Sequence, residues 1–326
     1  MQNKVYEGVN WNKQGKDYTT LFWEQNIKQF WIDTEYIPSK DIDSWRSLSP
    51  EMQNAYMKVL GGLTMLDTLQ SNTGMTSVIP FIDDLQQQAV LSYMCMMEAI
   101  HAKSYSTIFT TVASAEQIDS TFEWIKNNKY LQYKASRIDE FYQGVVKGDK
   151  ISLYKGLSAS VLLESFLFYS GFFLPLWLSG QGKMVACSDI IKKIVQDESI
   201  HGVFVGLLAQ DLYEAFTPEE QKEVKDHLYT LLQELYDNEC KYAEEVYGSI
   251  NLTSEVKLYI KYNANKALMN LGFEELYPGL KINQMVLNGL SDKTTQHDFF
   301  SKKSTNYEKA TEIVPLTSED FDISNL

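Results

Sequence analysis

The sequence predicts an all-α protein, a single bundle of long antiparallel helices, and three observations carry that expectation. Helix start signals recur along the chain, and the segments between chain breaks reach about 30 residues, against about 11–12 for an average helix. No run of alternating apolar and polar residues bounded by hairpin turns is present.

The start signals are specific. "SPEM" at 49–52 sets a serine before a proline at the first helical position. "SAEQ" at 114–117 and "TPEE" at 217–220 are capping boxes, in which a hydroxyl and a Glu or Gln side chain satisfy each other's free backbone N–H, and "TSEV" at 253–256 is a further start. The breaks fall where Gly, Pro and polar residues gather: "SVIPFIDD" at 77–84, "VKGDK" at 146–150, "SGQGK" at 179–183 and "YPGL" at 277–280. There is no repeat of constant period.

Composition narrows the function. A chain of 326 residues that is 44% hydrophobic can bury a large core. Its net charge of −14 argues against nucleic acid or an anionic membrane as partner. Cys95, Cys187 and Cys240 form no CxxC pair and the opening residues are polar, so a reduced, cytoplasmic protein is expected. Residues 157–178 are apolar enough to suggest a membrane span, but Glu164 lies within them and a central charge costs about 2.5–3.5 kcal/mol on insertion scales. A fully buried core helix is the expectation. We place one helical-bundle domain at 1–306. From Tyr307 to 326 the chain is acidic with a few apolar residues, and reads as a flexible tail, either solvated or folding onto a partner.

The chemistry is concentrated in a few polar residues inside apolar helices. Two of the four histidines share one pattern, Glu98-Ala-Ile-His101 and Glu198-Ser-Ile-His201. Residues i and i+3 lie on one helical face, so each pattern presents a carboxylate beside an imidazole. Asp67 and Glu164 interrupt two further apolar segments. The midpoint between Asp67 and Glu98 falls inside "SVIPFIDD", and that between Glu164 and Glu198 inside "SGQGK". Each pair therefore sits at matched depth on two helices joined by a turn, about 22 Å from it at the α-helical rise. Four buried carboxylates and two neutral imidazoles need the charge of two divalent cations. Oxygen-rich ligands with one imidazole per ion suit iron or manganese better than zinc. A lone ExxH is more often a satisfied core pair than a ligand pair, whereas two with two matched acids describe a buried dimetal-carboxylate site. Tyr105, one turn beyond His101, can approach that site, as a redox group or as a packed core tyrosine. His227 and His297 read as surface or packing histidines, and Cys95 as core filler.

Longer motifs carry a resemblance: "QFW" at 29–31, "GLTMLDT" at 62–68, "MMEAIHAKSYS" at 96–106, "LESFLFYSGFFLPLWLSGQGKM" at 163–184, "DESIHGVFVGLLAQ" at 197–210, "YNANKALMNLGF" at 262–273 and "HDFFS" at 297–301. The chain resembles the small, radical-generating subunit of class I ribonucleotide reductase, in its class Ib branch. The resemblance implies a ferritin-like bundle with metal ligands Asp67, Glu98, His101, Glu164, Glu198 and His201, and a radical on Tyr105. It implies shielding of that radical by Phe168, Phe172 and Ile194, and an electron relay through Trp31, Asp197 and the tail tyrosine Tyr307. It further implies two manganese or two iron ions, a homodimer, a large catalytic subunit on which the tail docks, and a flavodoxin-like activating protein. The reaction would be the initiation of ribonucleotide reduction for DNA synthesis. A dimetal oxidase or oxygenase, or a metal-storage bundle, remains the alternative.

Overall fold

The computed structural model describes residues 6–13 and 15–290. The domain limit at 306, the tail from Tyr307 and His297 lie outside the described residues. Among the described residues every regular element is helical. In chain order these are α1 (Asp17–Lys28), α2 (Ile42–Ser47), α3 (Pro50–Leu69), α4 (Met75–Val78), α5 (Leu85–Val112), α6 (Ala115–Asn127) and α7 (Lys129–Gln143). There follow α8 (Lys150–Leu162), α9 (Tyr169–Ser179), α10 (Val185–Glu214), α11 (Pro218–Tyr247), α12 (Thr253–Asn270) and α13 (Gln284–Leu290).

The start signals act as their chemistry predicts. Ser49 accepts the Met52 N–H with Pro50 at the first helical position, and Ser114/Gln117 and Thr217/Glu220 form reciprocal capping boxes on α6 and α11. "TSEV" differs: α12 begins at Thr253 itself, after Leu252, and has no side-chain cap. The length expectation holds for α5, α10 and α11, at 28, 30 and 30 residues.

Two irregularities escape a reading by period. A wide π turn, Gln70–Gly74, follows α3, and a second, Leu163–Leu167, joins α8 to α9. In the second the Phe168 N–H reaches back five residues to the Leu163 carbonyl, at 3.2 Å. Phe168 and Phe172, four and eight residues beyond Glu164, therefore lie across one overlong turn and are offset from the face that a regular helix would give them.

The segment 150–179 is the one helix among the described residues long and apolar enough to cross a membrane, and 94% of its most apolar window is buried in the bundle. It is a core helix, as expected from Glu164. α10 packs against α8 and α9, and α3 against α5 and α9, so four helical levels surround one interior.

Candidate metal centre

The four helical levels bring all six expected ligand residues together. Asp67 lies in the last turn of α3, Glu98 and His101 lie midway along α5, Glu164 sits in the second π turn, and Glu198 and His201 lie midway along α10. Each is at most 1% exposed. They form two quartets, Asp67/Glu98/His101/Glu198 and Glu98/Glu164/Glu198/His201, with the potential ligand atoms of each within 4.8 Å of one another. Glu98 and Glu198 belong to both. Glu98 turns Oε2 to His101 Nδ1 (3.4 Å) and Oε1 to His201 Nδ1 (2.7 Å). Glu198 likewise turns Oε1 to His101 Nδ1 (3.0 Å) and Oε2 to His201 Nδ1 (3.8 Å). Asp67 Oδ1 lies 3.5 Å from His101 Nδ1, and Glu164 Oε2 lies 3.6 Å from His201 Nδ1.

These separations are those of attraction, yet the atoms are not aligned as donors and acceptors. Both oxygens of Asp67, Glu98 and Glu198, Oε2 of Glu164 and both Nδ1 atoms make no hydrogen bond within the protein. Buried polar atoms are otherwise almost always bonded. Hard oxygen donors with one imidazole per quartet fit two divalent first-row cations.

In the protein alone, protons supply the missing positive charge. Burial and the neighbouring acids push the Asp67 and Glu198 carboxyls well above the usual range. Burial opposes charge on Glu98 too, but the His101 and His201 imidazoles beside it hold its pKa down, at about 2. Burial works against protonated imidazoles as well, and the surrounding carboxylates overcome it, raising His101 well above normal and His201 to about 9.

Outside the quartets, each half has its own support. His101 Nε2 donates to Asp197 Oδ2 at 2.9 Å, so that when the ring gives up its second proton the Nδ1 lone pair faces the cluster. The same Asp197 oxygen accepts the Trp31 indole N–H at 2.7 Å, and Oδ1 accepts from Gln29 Nε2 at 2.7 Å. On the other half, Gln70 donates to Glu164 Oε1 and, at 3.2 Å, to Ser160 Oγ, and its own oxygen accepts from Tyr142 Oη at 2.6 Å. Gly74 makes room for this group, since a Cβ there would come within 2.4 Å of Gln70 Oε1. Sequence reasoning singled out neither Gln29 nor Gln70. The available signal was that Gln29 begins the QFW motif and that Gln70 follows Asp67 by three residues.

Tyr105 is fully buried and its hydroxyl makes no hydrogen bond within the protein. Burial, with the charges of Asp67, Glu198 and Glu98, raises its pKa well above normal, so the phenol keeps its proton. Phe168, Phe172 and Ile194 are fully buried. His227 packs edge-on against Phe141, 5.0 Å between centroids, outside both quartets. Cys95 is buried one turn before Glu98, its thiol raised to about 12 by burial and by the Glu98 and Glu164 charges.

The profile of the family described as "Ribonucleotide reductase, small chain" matches residues 8–284. The ribonucleoside-diphosphate reductase subunit beta of Bacillus phage SPbeta is 52% identical, over 98% of this chain and 97% of the relative. The protein of the same name from Bacillus subtilis is 51% identical over the same shares. The crystal structure of Streptococcus sanguinis dimanganese(II)-NrdF superposes with a TM-score of 0.84 at 42% identity, covering 88% of this chain and all of that one. The chain belongs to the ribonucleotide reductase small-chain family, and is a small subunit of ribonucleoside-diphosphate reductase.

Proposed function

We propose that this chain binds two manganese or iron ions between Asp67, Glu98, His101, Glu164, Glu198 and His201, and stores one oxidising equivalent on Tyr105 for a large catalytic subunit. The single observation that supports the reading most is the pair of buried quartets sharing Glu98 and Glu198, whose donor atoms find no hydrogen bonds of their own. Asp67 and His101 would hold one ion, Glu164 and His201 the other, and the two shared glutamates would span both. Redox-active ions bound there supply one-electron oxidising power beside a phenol. Manganese is favoured by likeness to the dimanganese relative from Streptococcus sanguinis.

Tyr105 then loses one electron and its phenolic proton, for which Asp67 is a nearby acceptor. Phe168, Phe172 and Ile194 keep water from the resulting radical. Asp197 couples His101 to Trp31 and provides the way out, with Tyr307 continuing the relay outside the described residues. The unit is a homodimer acting with the large subunit. Docking through residues 307–326, activation by a flavodoxin-like protein and a cytoplasmic location complete the proposal.

Full-length protein given Mn(II) or Fe(II) and its oxidant is expected to show a tyrosyl EPR signal coupled to metal. Tyr105→Phe abolishes that signal with about two metals still bound per chain, and deletion of 307–326 keeps the signal but ends nucleotide reduction by the mixed subunits. Metal binding without a radical under every activation protocol would move the reading to a dimetal oxidase.

A further inference from the structure

Four rings form a ladder from the cluster to the surface. The His201 and His101 rings lie 6.0 Å apart at 24°, His101 and Trp31 5.9 Å apart at 18°, and Trp31 and Tyr36 5.7 Å apart at 89°. The first three are at most 1% exposed. Tyr36 is half-buried and lines a surface cavity of about 460 Å³ together with Glu35, Lys40, Asp41 and Asp189. It is the first ring of the ladder that water touches.

Its position is held from the same helix as the cluster. The Tyr36 N–H closes a short turn on the Asp33 carbonyl at 3.2 Å, and the Asp33 carboxylate is fixed by Lys103 at 3.0 Å and Thr107 at 2.5 Å, both on α5. An edge-on contact against Trp31 would be served as well by a phenylalanine. The hydroxyl adds the ability to release a proton on oxidation, and the cavity provides water and carboxylates to take it.

We propose that Tyr36 takes the oxidising equivalent from Trp31 and holds it as a tyrosyl radical at the protein surface. The inference rests on the reading of Trp31 as a relay residue. In the step, Tyr36 gives one electron to the oxidised Trp31 indole, which returns to its resting state. The phenolic proton leaves to cavity water, or to Glu35 or Asp189, the latter also paired with Lys192 at 3.2 Å. Burial and the charges of Glu35, Asp189 and Asp197 raise the Tyr36 phenol to about 12, so at neutral pH it starts protonated and the electron and proton leave together. A phenol that sheds its proton is easier to oxidise than a neighbouring indole, which sets the direction outward.

The test removes the inner acceptor so that the equivalent must travel. Full-length Tyr105→Phe protein, loaded with Mn(II) or Fe(II), is oxidised, freeze-quenched and read by EPR with ring-deuterated tyrosine, beside the wild type and the Tyr105→Phe/Tyr36→Phe and Tyr105→Phe/Trp31→Phe variants. A deuterium-sensitive tyrosyl signal is expected in the single variant, lost in both double variants and replaced by an indole signal when Tyr36 is the second change. A spin trap is expected to attach at residue 36 in the single variant, as mapped by mass spectrometry. A tyrosyl signal that survives Tyr36→Phe overturns the proposal, and so does its absence from Tyr105→Phe protein when the wild type forms its radical. A wild type that forms no radical at all overturns the relay reading itself, which separates the two failures.

Discussion

The two halves of the cluster hold the same types of side chain and are supported in different ways. On the His101 side, the imidazole's outer nitrogen is bonded to Asp197, and through it to Trp31 and Gln29. On the His201 side the outer nitrogen makes no hydrogen bond within the described protein, and the support goes to the carboxylate instead, through Gln70 and Tyr142. The π turns also belong to the second half, one carrying Gln70 and the other Glu164. One half thus has a fixed imidazole with a bonded path outward. The other has a fixed carboxylate on a backbone that departs from regular helix, a departure often found at functional sites. Hydrogen bonding to the imidazole and hydrogen bonding to the carboxylate thus fall on different sides of one site.

The largest effect should erase the comparison altogether. Glu198→Ala removes a carboxylate that faces both imidazoles, and Mn(II) titration followed by EPR of the free ion should fall from two bound ions per chain to fewer than one. Next, Asp197→Asn should act on one half only. It weakens the orientation of His101, so one of the two binding steps loses about 10–100-fold in affinity while the other is unchanged. A loss shared equally by both steps would contradict the division of labour. Gln70→Leu is the mirror experiment, with a loss of about tenfold confined to the other step.

The smallest effect concerns pH and sharpens the account of charge. Without cations, Asp67, Glu198, His101 and His201 hold protons with raised pKa values, about 9 for His201. Cations must displace those protons, so affinity rises as pH rises and falls as the medium becomes acidic. Each proton displaced contributes about a tenfold change in affinity per pH unit. Calorimetry in buffers of different ionisation enthalpy should count more than one proton released per chain near neutral pH.

Much of this site was legible in the sequence because helices carry it. A period of 3.6 residues places Glu98 with His101 and Glu198 with His201, and matched distances from two turns bring Asp67 and Glu164 to the same depth. Which atoms face inward was not legible: nothing in the spacing says that both imidazoles present Nδ1, or that Glu98 and Glu198 are the two shared acids. The second π turn was invisible because 157–178 is apolar on all sides, so one extra residue in a turn leaves the pattern unchanged. Gln29, Gln70 and Tyr36 escaped for another reason, since each acts through a contact with a residue distant in sequence or through a loop.

Gly202, next to His201, has a broader consequence. A Cβ at this position would come within 2.1 Å of Ser165 Oγ, beside Glu164. The separation of Glu164 and His201 is therefore set by the bare Gly202 backbone laid against the Ser165 side chain, which Asn270 Nδ2 holds in place by a hydrogen bond of 2.9 Å. A larger residue at 202 would have to push α10 away from the second π turn, changing the distance between His201 and Glu164 before any other part of the bundle need move.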